Sequence, residues 1–387
     1  MKTGSAPPLG GIINLYKPAG QSSFSLVAMA RRALGVQKIG FEGTLDPFAE
    51  GILPLYIGRA TAALTYAERS LQSRKTYLAL LGFGASTDSQ DATGQVLQAK
   101  PLSKADQALL KEGEMARIRA ALDLLKCKKT QQIPAFSAAK IQGERFVDLV
   151  RRGESAPQRE KQIEVYQAAC LSCAELDADV SPDHVAWPFA PCPSVEQRRI
   201  QRLLAKDEYV FRHEANREMN ERITTALAPL VWLRFEVSRG TYVRTLCQDL
   251  AKMLGFEGTT LRLIRERQGC FDLKSAILPS QFKVWAKEKA QRLLEEGRYD
   301  EVLLPPDCVL KTWPVLELSP KLALKLLQGK RVHLAELSQA WPEQEHSSED
   351  FALVYTSGFF VGLARREAEQ IRSERMFLGL EDFTSRL

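Results

Sequence analysis

The chain predicts an α+β fold organised in more than one domain, and three observations carry that prediction. Its 387 residues exceed a single typical domain. An apolar content of 45% beside 26% charged residues is ordinary globular composition, enough for a sizeable core. Short strand patterns and helical patterns then alternate along the chain, and a small β pattern closes it.

The elements follow in order. "GGIINLYKPAG" is a short apolar strand running into a Lys-Pro-x-Gly turn, and "SSFSLVAMARRALG" is a helix with a Ser N-cap, Arg31 and Arg32 late, and Gly35 as terminator. In "KIGFEGTLDPFAEGILPLYIGRATA" the run Ile52 to Ile57 reads as a buried strand. Asp46 precedes it on a loop stiffened by Pro47 and flanked by glycines, which is a way to hold a single catalytic acid; a turn in which Asp46 bonds nearby N–H groups is the plainer alternative. "TYLALLGFGAST" alternates as a strand, "TDSQDATGQV" is a polar turn, and "SKADQALLKEGEMARIRAALDLLK" and "GERFVDLVRRGE" carry helical apolar stripes. Residues 174–230, rich in Pro, acids and then mixed charge, read as an insertion between two strands, since "VWLRFEVSRGTYVRT" resumes the strand pattern. A linking helix follows Pro279, "LLPPDCVLKTWP" is a boundary, and "FALVYTSGFFVGLARRE" is a strand pair joined around Ser357-Gly358.

Bulk properties narrow the function. A net charge of +6 with recurrent Arg clusters permits a polyanionic partner. No segment approaches the roughly 18 to 20 apolar residues that span a bilayer, and the N-terminus lacks the apolar core of a signal peptide, so a cytoplasmic protein is the default. Seven cysteines, an odd number, argue for reduced thiols. Cys170 and Cys173 with His184 and Cys192 are nominally a zinc set, but "VYQAACLSCAEL" also reads as a buried strand and no second pair has ligand spacing. No cofactor is expected.

Six separated motifs together resemble the TruB-type tRNA pseudouridine synthases: "GTLDPFAEGILPLYIGRAT", "KPAGQSS", "KTYLALLGFGASTDSQDATG", "FSAAKIQGERFVDLVRRG", "SRGTYVRTLCQDLAKMLG" and "LRLIRERQGCF". The likeness covers about residues 10–172 and 230–275, and the tail resembles a PUA-like domain. The resemblance implies a synthase core over residues 10–280 with a mixed, mainly antiparallel sheet and a central cleft, a linking segment over 281–312, and a PUA-like RNA-binding domain over 313–387. It implies isomerisation of the T-arm uridine of tRNA, position 55 in tRNA numbering, without metal or redox cofactor, by a monomer.

Roles follow residue by residue. Asp46 would attack the target uridine at the base or at C1′, Tyr77 would stack on the flipped base and assist proton removal from C5, and Arg244 would hold Asp46 ionised through a bidentate bond. Leu263 would pack on the uracil, Tyr242, Phe41 and Asp91 would belong to the substrate-binding set with it, and Lys17, Arg59, Lys140 and Arg265 would contact RNA. An extruded base needs an aromatic platform and an apolar wall. The chain departs from the family pattern at Phe41, where many relatives carry His, at Phe136 in place of Tyr, and at Ile133 in place of Pro. Two rivals are a catalytically idle RNA-binding or RNA-folding protein on the same scaffold and a metal-stapled interaction protein.

Overall fold

In the computed structural model the apolar run after Asp46 becomes strand β3 (Glu50–Ile57), buried at every position, as a run without polar alternation should be. The structure describes residues 10–67, 74–109, 115–137, 139–141, 143–154, 158–171, 230–311, 313–341 and 351–384. The 174–230 insertion therefore lies almost wholly outside the described residues, as do Cys173, His184 and Cys192.

Strand β3 pairs antiparallel with β1 (Ile12–Lys17) and β2 (Ile39–Phe41). The chain continues through β4 (Lys75–Phe83), the β5–β6 hairpin (Ala85–Thr87, Val96–Ala99), β7 (Thr130–Gln132), the β8–β9 hairpin (Lys140–Ile141, Glu144–Arg145), β10 (Glu160–Gln162) and β11 (Val165–Leu171). After the insertion come β12 (Leu230–Val237), β13 (Gly258–Gln268) and β14 (Phe271–Asp272). The main sheet has the order β1-β3-β13-β4-β12-β11, with β2 on β3 and β14 on β13. Among the described residues its pairings are antiparallel except β3 with β13, which run parallel through Ile264↔Glu50 and Arg265↔Gly51. The sheet is thus mixed and mainly antiparallel.

That parallel junction requires Gly51. Its φ is +114°, and a Cβ there would lie 2.4 Å from the Arg265 carbonyl oxygen and 2.6 Å from the Arg265 nitrogen, so backbone closeness and conformation both exclude a side chain.

Helices cover the sheet. Helix α1 (Ser23–Leu34) starts at Ser22, whose side chain accepts from Ser25 N, and ends at Gly35 in the left-handed region, the two signals its sequence displays. Its Leu26, Val27 and Ala30 pack with Ile13, Leu15, Leu53 and Leu55. The helical run Pro279–Trp285, Ala286–Ala290 and Gln291–Glu296 seals the same cluster through Phe282, Trp285 and Ala290. The segment read as a link is therefore packed into the core of the large sheet. Farther across the same face, over β4 and β12, helix Met115–Lys126 and helix Val243–Met253 bury Ile118, Leu122, Leu246 and Leu250 against Ala79, Leu81 and Phe235. Cys170 of β11 belongs to that apolar cluster. Among the described residues no three His, Cys, Asp or Glu side chains gather as a metal set, and no helix is long and apolar enough to cross a membrane.

The C-terminal part is a five-stranded sheet of β15 (Val315–Glu317), β16 (Val332–His333), β17 (Phe351–Thr356), β18 (Phe359–Glu367) and β19 (Gln370–Met376), in the order β15-β17-β18-β19-β16. Ser357 and Gly358 form its two-residue hairpin turn with φ of 49° and 80°, the positive pair that suits strand twist. Leu353, Leu363 and Phe377 pack with Ile52 and Tyr56 of β3 in one shared cluster. Arg59 pairs with Asp382 at 2.6 Å, and the Tyr66 hydroxyl donates to Glu374 at 3.1 Å.

Candidate active site

The loop 42–49 brings Asp46 to the wall of a cleft of about 720 Å³, whose lining includes Tyr77, Leu263, Tyr242, Arg244, Phe41 and Lys75. Several contacts fix this loop. Lys17 sends its ammonium to the carbonyls of Pro18 (3.1 Å), Pro47 (3.2 Å) and Ala49 (2.5 Å). Ser23 Oγ accepts from Leu45 N at 3.0 Å and donates to the Leu45 carbonyl at 3.2 Å, bolting the loop to α1. Arg265 donates to the carbonyls of Gly43 and Ile52, both at 2.9 Å.

Arg244, in the first turn of the helix after Tyr242, is buried, and its Nε lies 2.9 Å from Asp46 Oδ2. Its Nη1 meets Asp91 Oδ2 at 3.0 Å and also donates to the Ser89 carbonyl, and its Nη2 donates to the Phe136 carbonyl at 3.0 Å. The nearest contact to Asp46 is through Nε, while Asp91 and two carbonyls take three of the other four guanidinium N–H groups. Asp91 is itself set by an Asx-type turn, its Oδ1 accepting from Thr93 N and from the hydroxyl of Ser89 at 2.9 Å each. Gln90, with φ of 64°, clamps that turn to the helix through Gln248 (3.0 Å) and Thr245 (2.7 Å).

The electrostatics of Asp46 are a contest. Burial raises its pKa, Arg244 lowers it, Asp91 raises it and Lys17 lowers it, and the net direction is upward from 3.8. About 35% of the side chain is still open to the cleft, so the carboxylate is reachable by a substrate while its surroundings desolvate it. Tyr77 is pushed upward mainly by burial, against a hydrogen bond with Arg265, so it is a neutral phenol at physiological pH. Tyr242 is also raised by burial, and its backbone is locked by reciprocal bonds with Gln131 of 2.8 and 3.0 Å.

Asp46, Tyr77, Arg244, Leu263, Tyr242 and Phe41 thus meet at one cleft, with Asp91 immediately behind Arg244. Three expected RNA contacts are placed otherwise. Lys17 and Arg265 are fully buried and serve backbone carbonyls, and Arg59 is tied to Asp382. Lys17 and Arg265, without exposed surface, shape the loop. Lys140 is placed on β8 by its backbone, but its side chain lies outside the described residues. Phe136 contributes its carbonyl to Arg244, so the lost Tyr hydroxyl does not enter that bond.

Sequence reasoning missed Lys75, buried at the cleft floor near Glu42 (3.7 Å) with its pKa lowered to about 8, chiefly by burial. It also missed exposed Arg159, Lys161 and Arg239 on the cleft lining. The signal was present for Lys75, two residues before Tyr77 on one strand and hence on the same face.

A family model described as "TruB family pseudouridylate synthase (N terminal domain)" matches residues 31–183. The chain is similar to "tRNA pseudouridine synthase B" of Symbiobacterium thermophilum, 30% identical over 325 residues, covering 84% of each chain. It is likewise similar to the protein of that name from Lacticaseibacillus paracasei, 29% identical over 378 residues, 96% of this chain and 99% of the relative. In fold it resembles a chain of the "Crystal Structure of a Cbf5-Nop10-Gar1 Complex", with a TM-score of 0.58, 17% identity, and coverage of 99% and 92%. It also resembles a chain of the "Structure of H/ACA RNP bound to a substrate RNA containing 2'-deoxyuridine", with a TM-score of 0.56, 16% identity, and coverage of 97% and 87%. With a relative at 30% identity matched across 84% of both chains, and six motifs in order along the sequence, the chain belongs to the TruB family of pseudouridylate synthases.

Proposed function

We propose that this enzyme isomerises the T-arm uridine of tRNA, position 55, to pseudouridine, with Asp46 as the nucleophile acting on a flipped-out base. The observation that carries the reading is the Asp46 carboxylate, held 2.9 Å from buried Arg244 at the wall of a cleft that Tyr77 and Leu263 also line. The reaction breaks the N1–C1′ bond, forms C5–C1′, removes the C5 proton and returns a proton to N1. It needs a nucleophile and proton transfer. Asp46 supplies the nucleophile, either at C1′ or at the base. Leu263 and Tyr77 give the uracil an apolar wall and an aromatic platform. Because Tyr77 is a neutral phenol with Arg265 donating to its oxygen, it assists loss of the C5 proton as a relay and not as a phenolate: its oxygen takes the C5 proton while its own O–H proton passes to the Asp46 carboxylate, freed once C5–C1′ has formed, and from there to N1.

The C-terminal β sheet helps grip the RNA, and exposed Arg159, Lys161 and Arg239 at the cleft are the cations placed to meet its phosphates. Mapping pseudouridine in bulk tRNA with and without the protein tests the reading. New pseudouridine at the T-arm position supports it. Tight tRNA binding without modification would leave the idle RNA-folding role instead.

A further inference from the structure

Phe24 sits in the first turn of α1 with 61% of its surface exposed. A single exposed apolar residue is ordinary, but the surroundings of this one are not. Its neighbour Ser23 holds Leu45 by two hydrogen bonds, of 3.0 and 3.2 Å, so the turn carrying Phe24 is fixed to the loop carrying Asp46. The ring meets Phe41 in a T-shaped contact, with centroids 5.3 Å apart and planes at 80°, and Phe41 lines the large cleft. On its other side Phe24 borders a second cavity of about 350 Å³ that shares Thr44, Leu45, Asp46 and Arg244 with that cleft and adds Pro47 and Phe48. A solvent-facing aromatic ring therefore stands at the border of a cavity that meets the large cleft at Asp46.

We propose that Phe24 is a stacking platform for an unpaired base of the RNA next to the uridine that enters the cleft. A base pulled from its stack leaves its neighbours with an uncovered face, and an exposed aromatic ring offers each of them a sequence-tolerant partner. Its fixed position beside Asp46 makes that contact a register mark, setting which nucleotide reaches the carboxylate. Phe24 is thus a positioning residue; it touches no reacting atom. The proposal rests on the RNA substrate proposed above.

The test uses the full chain with a T-arm stem-loop RNA and the variants Phe24→Ala, Phe24→Leu and Phe24→Trp. The first two should raise KM about tenfold, as loss of one base–aromatic stack requires, while kcat stays within about threefold. Phe24→Trp should restore KM, and its fluorescence should be quenched by RNA beyond the change seen in the wild type. A Phe24→Ala KM within about twofold of wild type would overturn the stacking role, as would a Phe24→Leu variant equal to wild type, which would leave only apolar packing. A wild type that makes no pseudouridine would instead overturn the reaction. The quench is read without turnover, so the two failures are distinguishable.

Discussion

Asp46 is a carboxyl group in a place that resists charge. Its pKa is raised above 3.8, mainly by burial, so the native state binds its proton more readily than the unfolded chain does. The sign follows: the contribution of Asp46 to stability is greatest below the ordinary carboxylate range and is lost as pH rises through the raised value. Wherever it is ionised, the group opposes folding. Asp46→Asn should therefore abolish turnover, leaving less than a tenth of wild-type rate, about 1.4 kcal/mol of barrier at minimum, while the melting temperature stays level or rises, as calorimetry would record. In the wild type, kcat/KM should fall on the acid side at a higher pH than a free aspartate titrates, in a pH–rate profile. Lys17 makes the complementary case. Lys17→Met leaves two carbonyls of the Asp46 loop, and that of Pro18, without their donor, and we expect a loss of about 2–3 kcal/mol in urea unfolding together with lower kcat. The salt dependence of RNA binding should not move, since the ammonium faces backbone and not phosphate.

Elements hold these residues by very few contacts, and β3 with β13 is the clearest instance. Gly51→Ala would drive a methyl group into the Arg265 backbone at 2.4–2.6 Å and force φ of +114° on a residue with a side chain. The expected loss is about 2–4 kcal/mol from strain and overpacking, read as a lower denaturant midpoint with unchanged slope. What the sequence displays at this scale is whatever local physics decides. Ser22 and Gly35 mark the ends of α1, the unbroken apolar run marks β3, and Ser357-Gly358 marks a hairpin. What it conceals depends on partners far along the chain. A lysine closing a strand reads as solvent-facing, and only the tertiary fold brings the Pro47 and Ala49 carbonyls, 30 and 32 residues on, to Lys17. Arg244 reads as a partner of Asp46 in the family pattern, but the claim of Asp91 on the same guanidinium depends on how a polar turn docks on a helix 153 residues later. Arg265 looked like a surface cation because the parallel pairing that buries it leaves no periodic trace in β13.

At the scale of the whole molecule, charge and the shared core set how RNA is held. A net charge of +6 is modest, so affinity must come from the local set around the cleft. Arg239→Ala should weaken tRNA binding evenly across sequences and reduce the slope of log K against log salt by about 1, measured by titration at several salt concentrations. Arg59→Ala should leave that slope unchanged, because its partner is Asp382. The cluster joining Ile52 and Tyr56 to Leu353, Leu363 and Phe377 means that the second sheet supports the reverse face of β3, the strand that follows the Asp46 loop.

The position of β13 has a consequence for how this protein is made. The strand lies between β3 and β4, yet Arg265 bonds to the Ile52 carbonyl across 213 residues of chain. At about 5–20 residues per second of synthesis, the first strands wait about 10–40 s for the one that separates them. The segment 172–229, 58 residues by its bounds, accounts for about 3–12 s of that wait. Throughout it, β3 and β4 present open edges, the feature that invites pairing with a foreign strand. Released fragments ending before Gly258 are expected to be cut readily by protease within β3 and β4, whereas the full chain protects both. The nascent protein is thus a natural client for holding chaperones until its middle strand arrives.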